Sequence, residues 1–219
     1  QQAEAQTAQA EAQMEQQAET QAAQAAETQT AQAAQIQTAL ATEKVVVYPR
    51  EKLNDFDYLI QNFYQVDNTT TIGSAQLNAD ALLGKDVRLS HDASTPQILI
   101  YHTHSQEGYA DSVPGDASMS VVGVGDYLTE LLTQKYGFSV IHHTGQYDVG
   151  DRDHAYAKAG PALEQILAEN KSIEVVIDLH RDGVGNNTRL VTEQNGMPMA
   201  QIMFFNGLSR TTKTGDIEY

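Results

Sequence analysis

The 219-residue sequence predicts an α/β fold, in which helices flank a mostly parallel sheet. Three short apolar stretches have the length and composition of buried strands, at residues 98–101, 138–141 and 173–179. A stretch with apolar residues at helical spacing separates each strand from the next. The order strand, helix, strand, helix, strand is typical of a parallel sheet whose crossovers are helices.

The two crossover helices follow from the spacing of their apolar residues. In the first, one helical face carries Val121, Val124, Leu128 and Leu131. This helix is predicted to end before Gly137, because glycine commonly terminates helices. In the second, the apolar positions are Leu163, Ile166 and Leu167. Here Pro161 is predicted to occupy the first turn and Asn170 to lie near the end.

Two further segments precede this core. Residues 1–43 are predicted to be a low-complexity linker, because Gln, Ala, Glu and Thr dominate and no apolar face could hold a helix in place. Residues 44–96 are predicted to extend the α/β domain at its N-terminal side, with a strand at 45–48 and a helix over 56–63. Residues 97–219 are then the α/β domain itself.

A hairpin is predicted after the last core strand. Residues 189–192 and 200–205 have the composition of strands. The Asn195-Gly196 dipeptide between them is a strong signal for a tight turn. We therefore expect these two stretches to pair with each other.

Composition excludes several classes of function. The chain carries 29 acidic against 13 basic residues, a net charge of −16, and such a surface repels the phosphate backbone of nucleic acids. It contains no cysteine, which rules out disulfides and thiolate zinc sites. No run of eighteen apolar residues is present, so the sequence predicts no membrane span in this chain.

Ligand-type side chains follow the first and third predicted strands directly. His102, His104 and Glu107 come after the first, and His180 comes after the third. Ligands of open α/β sheets bind outside the carboxyl ends of the strands, so these residues are expected to converge there. Two imidazoles and a carboxylate are a ligand set typical of catalytic Zn²⁺. His102 and His104 remain alternatives at this point, and Glu107 could also be a solvated loop carboxylate.

Other residues near the strand ends have predicted supporting roles. Asp178 should point away from the site if the strand alternation holds. Either Asp178 or Asp182 could accept the second imidazole N–H of a ligand histidine. Arg181 is a catalytic candidate, because a guanidinium can hold a substrate carboxylate or a developing oxyanion. His142 and His143 are expected to be surface histidines, with a place on the substrate side of the site or behind a metal ligand as the alternative.

The sequence resembles the stage II sporulation protein P (SpoIIP) family. The resemblance runs from about Phe56 to Tyr219, and its most specific stretches are HTHSQE, VVIDLHRD and AQIMFFNG. It implies a relation to zinc-dependent N-acetylmuramoyl-L-alanine amidases, with His104, Glu107 and His180 as the zinc ligands. It also implies cleavage of peptidoglycan, at its stem peptides and glycan, during engulfment in sporulation, with amidase and endopeptidase activities.

The same resemblance implies a cellular setting and a partner. Family members are anchored outside the membrane by an N-terminal span, so the parent protein is expected to be extracytoplasmic and membrane-anchored. The anchor is expected to be absent from this chain, and residues 1–43 to be the stalk that follows it. A second sporulation wall hydrolase, SpoIID, is the implied partner.

The sequence differs from the family in the residue that would act as the general base of hydrolysis. Relatives carry a glutamate after a later strand, in a stretch resembling L-I-E-V-G, and this chain stops at Tyr219 before any such stretch. We therefore expect the domain to be incomplete at its C-terminal end and the base to lie beyond Tyr219. Within this chain, the acidic candidates for a catalytic role near the metal are Glu107 and Asp182. The alternative to a zinc hydrolase is a non-catalytic module of the same fold that binds the cell wall or a partner.

Overall fold

The computed structural model describes residues 47–185, 187–194 and 196–216, so the predicted linker lies outside the described residues. The described residues belong to two compact units. One unit combines residues up to Gly84 with those from Arg189 onward, and the other comprises Lys85–Thr188. Within the described ranges, none of the helices has both the length and the apolar character that a membrane crossing requires.

The elements are numbered in chain order. The helices are α1 Arg50–Leu53, α2 Phe56–Phe63, α3 Ala79–Leu83, α4 Val121–Glu130 and α5 Ala155–Glu169. The strands are β1 Ile98–Tyr101, β2 Val140–His142, β3 Val175–Asp178, β4 Val191–Gln194, β5 Met197–Ala200, β6 Arg210–Thr211 and β7 Gly215–Asp216. Short 3₁₀ turns cover Ala117–Met119 and Arg152–His154, and a π-helical turn covers Leu131–Lys135.

In the first unit, α2 forms as its apolar spacing predicts. Its N-terminus is capped by Asp55, whose carboxylate accepts the backbone N–H of Tyr58. Leu59 packs with Leu77 in the small core of this unit. The strand predicted at 45–48 is wrong where the structure describes it, because Val47 and Tyr48 are exposed and α1 begins directly after Pro49.

The predicted hairpin is present, but its second strand begins earlier than expected. Gln194 pairs with Met197, which leaves two residues for the turn, and Gly196 has φ +79°. A two-residue turn fixes the register, so β5 starts at Met197 and ends at Ala200. The predicted strand over 200–205 is therefore wrong. Ile202 and Phe204 are both 89% exposed and lie outside regular structure.

In the second unit, the three core strands form one parallel sheet. β1 lies between β2 and β3, and Ile98 is level with Val140 on one side and Val175 on the other. Leu99 and Ile100 are completely buried. The α/β class and the parallel strand pairing predicted from sequence are confirmed, with β2 starting two residues later than predicted and including His142.

The two crossover helices, α4 and α5, are both present, and their ends agree with the sequence prediction to different degrees. Ser120 caps α4, which buries Val121 and Gly125, and the helical segment ends before Gly137, as predicted. The prediction that Pro161 lies in the first turn of α5 is wrong, because α5 begins six residues before it at Ala155. Pro161 is exposed, so water can satisfy the carbonyl that lacks a proline N–H partner.

Candidate metal centre

The carboxyl ends of β1 and β3 bring two histidines together. The strands are parallel neighbours, so the residues that follow them leave the sheet at the same edge. The ring centroids of His104 and His180 are 5.4 Å apart. The first and third predicted strands thus deliver their imidazoles to one place, as the sequence pattern indicated.

Glu107 is buried and contacts His180, Arg152 and the backbone of Arg181. Its Oε2 is 3.7 Å from His180 Nδ1 and accepts the backbone N–H of Arg181 at 2.9 Å. Its Oε1 accepts from Arg152 Nη2 at 2.9 Å. Burial raises the pKa of the Glu107 carboxyl, but the nearby His180 imidazole and the hydrogen bonds from the Arg181 amide and Arg152 outweigh it and lower this pKa to about 2. Glu107 is therefore ionised at neutral pH.

His104 has a nitrogen with no partner. The residue is 7% exposed, and its buried Nδ1 makes no hydrogen bond. The nearest carboxylate, that of Asp148, lies 3.8 Å away, beyond hydrogen-bonding distance. Buried polar atoms are nearly always satisfied, so an unpaired imidazole nitrogen beside another imidazole and a carboxylate points to a ligand that binds here.

Asp178 orients the second imidazole. His180 Nε2 donates to Asp178 Oδ2 at 2.8 Å, and Thr103 holds the same carboxylate through its backbone N–H and its hydroxyl. The expectation that Asp178 points away from the site is wrong. Asp178 is the last paired residue of β3, and the chain beyond it leaves the strand. Strand alternation therefore does not apply to His180, and its imidazole contacts the Asp178 carboxylate. Asp178, rather than Asp182, therefore fixes the ring of His180.

These contacts set the charge state of His180. Its hydrogen bond to Asp178 and the nearby carboxylate of Glu107 raise the pKa of the imidazole to about 9. His180 is thus an imidazolium at neutral pH when no cation is bound. Its Nε2 proton is held by Asp178, whereas its Nδ1 faces Glu107.

His102 lies beneath this site and contacts other groups. It is completely buried, with Nδ1 donating to the Leu179 carbonyl at 2.9 Å and Nε2 2.8 Å from His142 Nε2. Both nitrogens are engaged, so the geometry favours His104 over His102 as the metal-facing residue. The prediction that His142 is a surface histidine is wrong, because only 8% of its side chain is exposed and its Nδ1 contacts Asp126.

Two residues of this site, Tyr156 and Arg152, belong to no sequence motif and were not predicted. Tyr156 places its ring edge-on to His104, with centroids 5.6 Å apart, and nearly parallel to His180 at 6.2 Å. Arg152 binds Glu107 while 63% of its side chain remains exposed. Arg152 lies in the 3₁₀ turn that leads into α5, and Tyr156 is the second residue of α5. Their four-residue spacing was the available signal, since residues four apart share one face of a helix.

A comparison with known protein families shows the family to which this chain belongs. The family model described as "Stage II sporulation protein P (SpoIIP)" matches residues 1–214. The chain belongs to this family. Stage II sporulation protein P of Bacillus subtilis (strain 168) is 30% identical over 98 residues, which cover 39% of this chain and 24% of that protein. The match thus spans about a quarter of the relative's length, and no solved structure matches the chain.

The residues of this SpoIIP-family site fit zinc by their chemistry. Among the described residues, no group of three or more His, Cys, Asp or Glu side chains is already arranged to hold a metal ion. The possible ligands nevertheless lie close together: the ring centroids of His104 and His180 are 5.4 Å apart, and His180 Nδ1 lies 3.7 Å from Glu107 Oε2. Two imidazoles, one carboxylate and a carboxylate behind one imidazole form a donor set that Zn²⁺ accepts.

Asp178→Asn should lower the zinc affinity of this site by about 10- to 100-fold, the usual effect of losing the group that orients a ligand histidine. An amide cannot act as the anionic acceptor for His180 Nε2, so the ring loses its fixed orientation. Chelator competition with purified protein measures the change. Asp182→Asn is the control, because Asp182 is exposed. Equal affinities in the two variants would remove Asp178 from this role.

Proposed function

We propose that this SpoIIP-family chain carries the site of a zinc-dependent peptidoglycan hydrolase, with His104, Glu107 and His180 as the zinc ligands. The observation that best supports the proposal is the buried Nδ1 of His104, which has no hydrogen-bond partner in a ring that lies 5.4 Å from the ring of His180. The proposed reaction is amide hydrolysis of the N-acetylmuramoyl-L-alanine type, with endopeptidase cleavage as a second proposed activity, in the engulfment step of sporulation.

Each proposed ligand is held by its own surroundings. Bound zinc would polarise a scissile carbonyl and lower the pKa of a water molecule. Asp178 keeps the Nε2 proton of His180, so the Nδ1 side of that ring is the one available to a cation. Glu107 stays ionised, because its pKa is about 2, and a carboxylate must be ionised to act as a ligand.

The groups around the proposed centre suit a peptide substrate. Arg152 is largely exposed beside Glu107, and Arg181, which is also exposed, follows His180 directly. Guanidinium groups bind carboxylates, so we propose that Arg181 holds a substrate carboxylate or a developing oxyanion. Burial, together with the charges of Asp178 and Glu107, raises the pKa of Tyr156, so its hydroxyl remains a hydrogen-bond donor at neutral pH.

A second candidate is a module that binds the cell wall without cleaving it. A general base works best when its pKa is near the working pH, and a Glu107 carboxyl with a pKa of about 2 is a weak base. The other two carboxylates beside the histidines also have hydrogen-bond partners: Asp178 accepts from Thr103 and His180, and Asp148 accepts from Ser105. These contacts are the observation that supports the second candidate.

The proposal also carries a location and a partner. Peptidoglycan lies outside the cytoplasmic membrane, so the site is proposed to act there in a membrane-anchored parent protein. SpoIID, the second sporulation wall hydrolase, is the proposed partner, and stem peptides with their glycan are the proposed substrate.

The test is zinc-dependent release of free peptide from purified peptidoglycan, followed by mass spectrometry. We expect release by the zinc-loaded parent protein, loss of release on chelation, and no release by its His104→Ala variant. His91→Ala is the matched control, because His91 contacts Glu174 just before β3, at the opposite end of that strand from His180. Zinc-dependent retention on peptidoglycan with no released peptide would support the binding module instead.

A further inference from the structure

We propose that His102 is a positioning residue for the metal centre: it holds the peptide group that precedes His180 and thereby aims the imidazole of His180. The proposal rests on the proposed function, because it treats His180 as a zinc ligand. The proposal gives a role to a buried histidine that is not itself a proposed zinc ligand.

The contact with the Leu179 carbonyl carries the argument. His102 Nδ1 lies 2.9 Å from this oxygen, and a carbonyl only accepts, so Nδ1 carries the hydrogen and donates it. The backbone N–H of Leu179 donates to the Tyr101 carbonyl at 2.9 Å. Residues 101 and 102 therefore hold Leu179 at both its amide and its carbonyl, and the next residue in the chain is His180.

The far side of the His102 ring is fixed as well. Its Nε2 meets His142 Nε2 at 2.8 Å, and His142 Nδ1 donates to Asp126 Oδ1 at 2.8 Å. His142 is the last residue of β2, and Asp126 belongs to α4. The His102 ring thus connects the ends of β1 and β2 to the chain that leaves β3, and it cannot rotate without losing its hydrogen bond to Leu179 and its contact with His142.

Gly125 provides the room for this pair of rings. A Cβ at this position of α4 would lie 2.5 Å from His142 Nε2 and 2.7 Å from His102 Nε2. Glycine weakens a helix interior relative to alanine, so its presence here calls for a packing reason. The close approach of the two imidazoles to the helix backbone is that reason.

The zinc-binding test compares two substitutions of His102 whose side-chain amide N–H groups occupy different positions. In His102→Asn the amide nitrogen stands near the position of Nδ1 and can still donate to Leu179, whereas in His102→Gln it stands near the position of Nε2. We expect His102→Asn to keep zinc affinity within about threefold of the native chain and His102→Gln to lose roughly tenfold or more, in the range seen when a supporting group is removed. The visible spectrum of the Co²⁺-loaded chain should change in His102→Gln and be restored in His102→Asn.

A metal-free measurement tests the same role independently. Amide hydrogen exchange over residues 178–181 should be about tenfold faster in His102→Gln than in the native chain, because a buried hydrogen bond that restrains this segment is lost. His102→Asn should exchange at close to the native rate. Native rates in His102→Gln, or equal acceleration in both variants, would overturn the proposal. A native chain that binds no zinc would defeat the proposed function, and the exchange rates would still decide the role of His102.

A second pair of variants leaves both histidines in place. Gly125→Ala should displace the two rings, accelerate exchange over residues 178–181 and weaken zinc binding by roughly tenfold. Gly160→Ala is the matched control, because an added Cβ in α5 meets nothing within 4 Å. If Gly125→Ala behaves like Gly160→Ala in both measurements, the imidazole pair does not position His180 and the proposal is overturned, whether or not the His102 variants fold.

Discussion

Replacing His180 with alanine should lower zinc affinity by more than roughly 100-fold, since loss of a supporting group alone costs up to that much. The substitution removes the imidazole that Asp178 orients and that lies 3.7 Å from Glu107 Oε2. Zinc-dependent peptide release should fall below detection for the same reason. Metal analysis after dialysis, together with chelator competition, measures the loss.

The matched control for this experiment is His143→Ala. His143 follows the neighbouring strand β2, and its Nε2 contacts the Tyr147 hydroxyl at 2.5 Å rather than a proposed ligand. We expect this variant to bind zinc like the native chain. Full zinc content in His180→Ala would show that the ion binds elsewhere and that the ligand assignment is wrong.

The parts of the site that follow strands could be predicted from sequence. A run of four apolar residues that ends in H-x-H places an imidazole at a sheet edge, and a second such run does the same. Parallel pairing of β1 with β3 then brings His104 and His180 together, with no further information needed. Local pattern and sheet topology agree at these residues, which is why the inference succeeds.

The parts that depend on loop paths could not be predicted. Asp148 and Arg152 lie between β2 and α5, where no periodicity fixes the direction of the chain. Asp178 was misplaced because strand alternation describes the strand and says nothing of how His180 turns back after it. The role of His102 depends on a contact with Leu179, 77 residues away in the chain.

Element boundaries failed where turn geometry or neighbouring structure overrides composition. The apolar residues Ile202–Phe205 suggested a strand, but the two-residue turn after Gln194 sets the register and β5 ends at Ala200. Pro161 suggested a helix start, but the turn of 3₁₀ helix at Arg152–His154 leads directly into α5. In both cases the composition correctly indicated a strand or a helix but placed one of its ends at the wrong residue.

Zinc affinity should increase about tenfold per pH unit between roughly pH 6 and pH 8, because binding must displace one proton from His180. The hydrogen bond to Asp178 and the nearby carboxylate of Glu107 raise the pKa of this imidazole to about 9, so His180 is protonated throughout that range in the metal-free chain. Displacement concerns Nδ1, since Asp178 keeps the Nε2 proton in either state. Chelator competition at a series of pH values gives the slope.

The same pKa fixes the sign of the stability change in the metal-free chain. A histidine whose folded-state pKa is raised from 6.5 to about 9 stabilises the fold fully below pH 6.5, and this contribution is lost as the pH rises through 9. The melting temperature of the metal-free chain should therefore fall between about pH 7 and pH 9.5, whereas the increase produced by zinc should grow over the same range. His180→Gln should remove both trends, because glutamine does not titrate. A native chain with no pH dependence of zinc affinity would show that His180 does not exchange a proton for the ion.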